Sequence, residues 1–533
     1  QGLMLPGSTI TVTKTGVGEY LLKGPHAEAT VNTTTDVFTS DDYMGFTNLM
    51  GQMQEGMANV YYDGAPYVRY SSQELTPASV TVTFDFRKYG IDLRGDDDTV
   101  YFPLATLSDI FSDLYYHVAG YNGERVNVVT DNDNSTIAKF DIEGTKKVLQ
   151  AESRGADMAS YSYGELCFVI DHFYGMPGRS PLESAIRNDG LDAALDGAEN
   201  GAVIKQLLKS TAMPDYIFGM DCLQMLLADG GHTSMLVDLS ATQAFEDAGV
   251  PYEYESIMGR MAESYPELSM ALQQHLMNPM LLSPRLVEYK GITSVRPTDG
   301  TYYKEGDTAY LLYNQFGNTN FNAWNAYYDG GCQGDLPSID NNFLGDLAVV
   351  LDALKKAEAD PEVKNLVVDL TCNPGGSLDL VLAMTALMGG QSHFYSENVL
   401  TGQRQKISYD VDSNFDGVFD QRDKEVKYHL NIGVLTSNFS FSCGNLFPSL
   451  MKDMGFPILG EKSGGGACAV QQFVTPEGLQ YQISSARARL TNDKWENIDG
   501  GVEPDYVIDL SGPNPNYSAL YDIASISDYF KTE

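Results

Sequence analysis

Residues 431–454 read NIGVLTSNFSFSCGNLFPSLMKDM and join a strand pattern to a helix pattern. The apolar run Asn431–Leu435 is typical of a buried strand, and Leu446–Met454, which Gly455 ends, is typical of a helix. Ser442 stands between them, at the mouth of the predicted helix. Unpaired backbone N–H groups at a helix N-terminus favour developing negative charge, so a serine there is a candidate nucleophile. The alternative is an ordinary serine N-cap.

Strands and helices alternate through the whole C-terminal part of the chain. Thr308–Tyr313 and Asn365–Leu370 are predicted strands, while Leu344–Ala359 and Leu378–Met388 have helical spacing. This alternation indicates βαβ units and a sheet covered on both faces. We therefore expect an α/β fold class for residues 299–533.

Two further domains are predicted before residue 299. Residues 1–148 read as a β-rich α+β domain, with strand alternation in Ser79–Phe86 and helical spacing in Leu104–Val118. Residues 149–298 read as a helical domain. Its apolar residues recur at three- and four-residue spacing in Tyr163–Phe173, Ile204–Ser210, Tyr216–Ala228 and Ser256–Met277.

The composition is that of an acidic globular protein. The 533 residues carry a formal net charge of −38, which argues against nucleic acid as a partner because phosphate binding needs clustered Lys and Arg. No apolar run approaches the roughly 18–20 residues that span a bilayer, so no transmembrane segment is expected. The chain starts at Gln1 without a Met. We expect a removed secretion signal and a secreted or cell-surface location.

Metal and cofactor motifs are few. The six cysteines form no CxxC pair and no HExxH is present, so zinc is not expected. Gly460–Gly466 lacks the GxxxxGK[ST] order of a phosphate loop, and no organic cofactor is expected. The oligomeric state is not predicted.

A glycine pair marks a second candidate site segment. Asn373-Pro374-Gly375-Gly376 lies between a predicted buried strand and a predicted helix. Two glycines there allow the backbone to expose N–H groups toward a ligand. The alternative is a tight turn without a ligand.

Together, in this order, several segments resemble the tail-specific, or C-terminal processing, protease family of serine peptidases. They are Asp229–Thr233, Val368–Gly376, the strand–Ser442–helix segment, Gly460–Lys462 and Gly501–Asp505. The resemblance covers about half the chain, from Asp229 onward. It implies a crotonase-like αββ-spiral peptidase domain and a secreted or cell-surface serine endopeptidase that acts on peptides or proteins. No PDZ-like segment is evident between His232 and Thr308, which departs from many family members.

The resemblance also implies roles for individual residues. Ser442 is the expected nucleophile. The family's Ser–Lys style needs a Gly-Lys-Gly where this chain has Gly465-Gly466-Ala467, so the tricorn-like style, with a histidine and a carboxylate, is favoured. His232 then acts as general base, because imidazole titrates near neutrality.

The remaining roles carry alternatives. Asp499 aligns best with the family carboxylate, and Glu496 is the alternative. The oxyanion hole is expected to combine the N–H of Cys443 with that of Gly375 or Gly376.

Two other nucleophiles and one other function stay open. Ser440 is a competing hydroxyl, and the thiol of Cys443 is a second competitor. The alternative function is a non-catalytic ligand- or peptide-binding protein on the same fold.

A separate motif fits the twelve-residue EF-hand calcium loop, which begins at Asp412 and has its glycine at Gly417. The expected calcium ligands are Asp412, Asn414, Asp416, Val418 through its carbonyl, Asp420 and Asp423. The flanks Ile407–Val411 and Glu425–Leu430 alternate like strands. We therefore expect a calcium-loop hairpin at 407–430, the alternative being a plain acidic turn.

Overall fold

The computed structural model of the chain describes most of its length. The described ranges are 9–47, 64–77, 79–111, 118–121, 126–129, 142–175, 180–229, 232–236, 243–277, 283–317, 320–338 and 345–532. Within them, no helix is long and apolar enough to cross a membrane.

The N-terminal part of the chain is rich in short strands. These are β1 Thr11–Gly16, β2 Glu19–Lys23, β3 Glu28–Asn32, β4 Val37–Ser40, β5 Val68–Leu75, β6 Val82–Asp85, β7 Arg94–Asp96, β8 Thr99–Tyr101, β9 Val118–Tyr121 and β10 Val126–Val129. Five of them form an antiparallel sheet in the order β1-β2-β3-β4-β6. Their inward residues alternate with exposed ones, as expected for a sheet with one face in water.

Helices fill the middle of the chain and recur between the later strands. They are Tyr43–Thr47, Leu104–Phe111, Ile142–Gln150, Ala156–Phe173, Glu183–Asp189, Leu191–Gly197, Gly201–Leu208, Met213–Leu227, Gln243–Ala248, Val250–Ser264, Pro266–Met277, Ser283–Val295, Phe321–Asp329, Leu347–Ala359, Leu378–Gly389, Cys443–Asp453 and Ile523–Thr532. Short 3-10 turns occupy Phe86–Tyr89, Asp423–Glu425 and Tyr517–Tyr521. The mixed α/β class expected from the sequence is confirmed.

Ten further strands are described in the C-terminal part. These are β11 Tyr302–Glu305, β12 Thr308–Leu312, β13 Asn365–Asp369, β14 His393–Glu397, β15 Arg404–Val411, β16 Asn431–Thr436, β17 Ile458–Gly460, β18 Cys468–Val474, β19 Gln480–Thr491 and β20 Tyr506–Val507.

The central sheet has the order β11-β12-β13-β16-β17-β20, and all neighbours after the first pair are parallel. β12 and β13 are buried at every position, as expected for strands covered on both faces. Asp369 in β13 pairs with Leu435 in β16, so both strands end at the same edge. The turn after β13 and the Ser442 turn after β16 leave that edge together, which brings two distant motifs to one place.

A second, antiparallel sheet runs in the order β18-β19-β14-β15-β5. Its outer strand β5 comes from the N-terminal part of the chain and pairs with β15 along most of its length. One hydrophobic core joins the N-terminal sheet and the helices to Phe473, Tyr481 and Ile483 of β18 and β19. Hydrophobic packing therefore crosses the expected boundaries at 148 and 298.

Two local predictions are wrong. The helix predicted over Leu104–Val118 is described at Leu104–Phe111, residues 112–117 lie outside the described residues, and Val118 begins a strand. The expected hairpin at 407–430 does not form, because β15 pairs with β14 and β5 while residues 426–430 make no strand. β14 occupies one hydrogen-bonding edge of β15 and β5 occupies the other, so no edge is left for a hairpin partner.

Candidate active site

Ser442 has a backbone conformation that an L-residue rarely adopts. Its φ is 56° and its ψ is −119°, immediately before the helix Cys443–Asp453. Such a conformation costs of the order of 1–3 kcal/mol and persists only where the surroundings enforce it. Ser442 stands at the N-cap position, yet its hydroxyl makes no capping hydrogen bond. The geometry is therefore not that of an ordinary serine cap. The side chain is half-buried, and its hydroxyl is not used to cap its own helix.

The two competing nucleophiles have other roles. The Ser440 hydroxyl is fully buried, donates to Leu370 O at 2.7 Å and accepts from Ser437 N at 3.1 Å. It holds the loop to the end of β13. The thiol of Cys443 donates to Gly376 O at 3.0 Å, and burial raises the pKa of this thiol to about 12. A thiol that stays protonated at neutral pH is a poor nucleophile.

The glycine turn lies directly against Ser442. A Cβ on Gly375 would stand 2.6 Å from Ser442 Cβ and 3.0 Å from Cys443 N, and its φ is +115°. Gly376 also has a positive φ and packs on Phe316 O. Only glycine permits both this backbone and this approach.

The turn leaves one of its two glycine N–H groups available. Gly375 donates its N–H to Asn373 Oδ1 at 2.9 Å, so this N–H is used within the turn and does not fit the oxyanion role expected for it. The described residues provide no hydrogen-bond acceptor to the N–H of Gly376 or of Cys443, the first residue of its helix. Cys443 directly follows Ser442, and Gly376 directly follows the glycine that contacts Ser442. The Asn373 side chain holds the turn, and its Nδ2 also donates to Tyr313 O. This role was not predicted from the sequence. The signal that could have indicated it is an Asn directly before Pro-Gly-Gly.

His232 reaches the same place from a distant part of the chain. Its half-buried ring packs on Phe441, the neighbour of Ser442, with 4.9 Å between ring centroids. Gly230 and Gly231, which precede it, lie outside the described residues. The structure thus brings together two motifs separated by about two hundred residues.

The loop that carries His232 is attached to β19. Gln482 Nε2 donates to His232 O at 2.8 Å, and Ser234 exchanges two backbone hydrogen bonds with Gln482. Buried Asp229 accepts from Ser484 Oγ at 2.7 Å and from the Thr233 hydroxyl. The sequence offered no signal for this support, because β19 lies far along the chain.

The two candidate carboxylates differ sharply in environment. Asp499 is buried, and its Oδ1 accepts from Ala467 N at 2.7 Å. Gly466, the residue before Ala467, lies under the Phe441 ring on which His232 packs. Glu496 is exposed and bonded to Asn492 in a surface turn. Asp499 is therefore brought to the site and Glu496 is not.

Lys462 forms an ion pair with a residue outside the serine turn. It is about half exposed and pairs with Glu503 at 2.8 Å. This geometry does not fit a Ser–Lys pair.

In the predicted calcium loop, side-chain oxygens accept hydrogen bonds from backbone N–H groups of the same loop. Asp412 Oδ2 accepts from Gly417 N at 2.7 Å, Asn414 Oδ1 from Asp416 N at 2.9 Å, and Asp423 Oδ2 from Asp420 N at 2.8 Å. Arg422 pairs with Asp416 at 2.7 Å and with Asp420 at 2.9 Å, so a cation of the chain neutralises two expected ligands. Across the described ranges, no three His, Cys, Asp or Glu side chains are grouped to hold a metal. Calcium binding, through these residues and the Val418 carbonyl, stays a prediction.

Comparison with known proteins finds one family model that is similar to the part of the chain with this site. Residues 307–508 match the model of Peptidase family S41, and no curated protein matches the chain. Among solved structures, the photosystem II D1 C-terminal processing protease is 18% identical, covering 38% of this chain and 42% of that chain at a TM-score of 0.27. A putative S41 protease from Bacteroides fragilis is 18% identical, covering 44% and 59% at a TM-score of 0.28. Mature CPAF, solved with lactacystin, is 12% identical, covering 71% and 98% at a TM-score of 0.39.

The chain thus spans about half the length of the first two of these structures. The family match includes Ser442, the glycine turn and Asp499, while His232 lies before it. Over residues 307–508 the chain is therefore similar to peptidase family S41.

Proposed function

We propose that the chain is a serine-type endopeptidase that forms an acyl-enzyme on Ser442. The observation that carries the proposal is the enforced positive φ of Ser442, with its hydroxyl unused as a cap and two N–H donors beside it. The S41 match supports peptide or protein substrates. Structure-enforced strain at a nucleophile is typical of an active site.

In the proposed reaction, His232 takes the Ser442 hydroxyl proton as oxygen attacks the peptide carbonyl, and returns it to the leaving amine. Water then hydrolyses the ester, as His232 takes a proton from the water and returns it to the Ser442 oxygen. Asp499 orients the imidazole and stabilises the imidazolium. The packing of His232 on Phe441 and the burial of Asp499 beside Ala467 support these roles.

The oxyanion of the tetrahedral intermediate is bound by the N–H groups of Cys443 and Gly376. Removal of one such donor costs about 3 kcal/mol in the transition state. The helix that begins at Cys443 adds the favourable end of its dipole.

We also infer that the peptidase domain has the crotonase-like αββ-spiral arrangement. The parallel order of β12, β13, β16, β17 and β20, with helices between the first four of these strands, supports it. A secreted or cell-surface location stays a prediction.

A fluorophosphonate probe tests the proposal, because it phosphonylates activated serine hydroxyls. We expect labelling of the wild type on the peptide that contains Ser442, and none in Ser442→Ala or His232→Ala. Ser440→Ala, matched in residue type and two positions away, should still label when folded.

Wild type that stays unlabelled, with folding verified by circular dichroism, would favour the non-catalytic binding protein. Labelling that survives Ser442→Ala would move the nucleophile elsewhere.

A further inference from the structure

The segment that carries Asp499 is a tight turn with two fixed ends. Gly501 N donates to Ile498 O at 3.0 Å and closes the turn around Asp499. The φ of Gly501 is +91°, and its Cα packs on Ser463 O. The position of the Asp499 carboxylate therefore depends on what holds Ile498 and Val502.

A single amide side chain, that of Asn445, is connected to both ends of this turn. Its Nδ2 donates to Ile498 O at 3.0 Å, and its Oδ1 accepts from Ser463 Oγ at 2.7 Å. Ser463 Oγ in turn accepts from Val502 N at 2.7 Å. Asn445 thus holds one end of the turn directly and the other through Ser463.

Asn445 is also part of the first turn of the helix that follows Ser442. Its backbone N donates to Ser442 O at 2.9 Å, and the residue is fully buried. The nucleophile and the Asp499 turn are therefore connected through one rigid residue, across more than fifty positions of sequence.

An amide is the side chain that this place requires. It offers a donor to a carbonyl and an acceptor to a hydroxyl at the same time. An apolar residue would leave the buried Ser463 hydroxyl without its acceptor and would remove one of the two hydrogen bonds to Ile498 O, whereas a carboxylate would set two acceptors face to face. Burial strengthens both effects.

We propose that Asn445 is a positioning residue, which fixes the distance between the Asp499 carboxylate and Ser442. The inference rests on the proposed function. It assigns no chemical step to Asn445, which acts through Asp499 alone.

A double-mutant cycle with the fluorophosphonate probe separates positioning from general stability. We expect Asn445→Ala and the near-isosteric Asn445→Asp to lower kinact by about 10- to 100-fold at unchanged KI, because small misplacements of catalytic groups cost this much. In the Asp499→Ala background the same changes should lower kinact by less than about twofold, since effects of residues that act as a unit do not add.

Asn365→Ala is the matched control. Asn365 is also a buried amide with two side-chain hydrogen bonds, to Thr308 and Asn431, but it begins β13 at the opposite end of the sheet. Its loss should lower Tm as Asn445→Ala does and leave kinact within about twofold. Should Asn445→Ala fail to fold, Asn445→Asp and Ser463→Ala carry the cycle.

Equal loss of kinact in both backgrounds would overturn the inference while the proposed function stands. Loss of Tm without loss of kinact would do the same. Wild type that takes up no probe would overturn the proposed function and the inference together.

Discussion

At residue scale, the environment of each side chain separates candidates that look alike in sequence. Ser440 and Ser442 stand two positions apart, but only Ser440 is buried and hydrogen-bonded into the loop. Asp499 and Glu496 stand three apart, but only Asp499 is buried beside the Gly466–Ala467 segment. The sequence predicted a serine nucleophile in the first segment and a carboxylate in the second. The family resemblance favoured Ser442 and Asp499, but the difference in burial that separates each pair depends on distant segments and was not predictable.

Gly375→Ala tests the close approach at the glycine turn. The new Cβ would need the space beside Ser442 Cβ, so we expect a fall of about 100-fold or more in the rate of fluorophosphonate labelling. Gly390→Ala is the control, since Gly390 has a φ of +69° with open space around it. That variant should lose about 1 kcal/mol of stability, from the backbone alone, and keep its labelling rate. Equal labelling losses in both variants would count against the turn as part of the site.

At the scale of elements, buried strands were the most predictable features. β13 and β16 are continuous apolar runs, and their positions in the chain were confirmed to within one residue at each end. The failure came at Glu425–Leu430, where polar and apolar residues alternate without forming a strand. Periodicity shows which face of a strand is apolar, but a strand forms only where a neighbouring strand has a free edge to pair with. β14 and β5 already occupy both edges of β15.

The loop Asp412–Asp423 provides a prediction at this scale. If it binds Ca²⁺ with the weak affinity of extracellular modules, about 10⁻⁴–10⁻³ M, 10 mM Ca²⁺ should stabilise the chain by about 1.4 to 2.7 kcal/mol. Differential scanning calorimetry with Ca²⁺, and with Mg²⁺ as control, measures this. Asp416→Asn should remove the Ca²⁺ shift, whereas Arg422→Gln should enlarge it by freeing two carboxylates. A shift that persists in Asp416→Asn would exclude this loop as its source.

At the scale of the whole molecule, a buried polar cluster links the N-terminal part to β19. Arg487 donates to Tyr43 Oη at 3.0 Å and to Ile110 O at 2.8 Å. Asp109 and Glu165 lie in the same cluster, and Thr106 donates its hydroxyl to Glu165. Burial raises the pKa of both carboxyl groups, that of Glu165 to about 7, and Arg487 opposes the rise only at Asp109.

This cluster predicts a pH dependence of stability. Because the folded pKa of Glu165 is raised, the folded state holds a proton that the unfolded state releases above its ordinary pKa. The pair should therefore lose stability as pH rises from about 4.5 to about 7, by about 1–3 kcal/mol. Glu165→Gln should raise Tm above that of wild type at pH 8 and give little gain at pH 5. Exposed Glu199→Gln is the control, and wild-type and Glu165→Gln curves that stay parallel across this range would reject the prediction.

Much of this protein was determined by its sequence alone. The α/β class, the strand–serine–helix order and the S41 resemblance follow from local patterns, because apolar periodicity and turn residues act over a few positions. Tertiary structure decided the rest: that Gly376 and not Gly375 has an available N–H, that His232 is held by β19, and that β5 joins the second sheet beside β15. These features depend on hydrogen bonds between residues far apart in the chain, and no local pattern encodes which distant donor meets which acceptor.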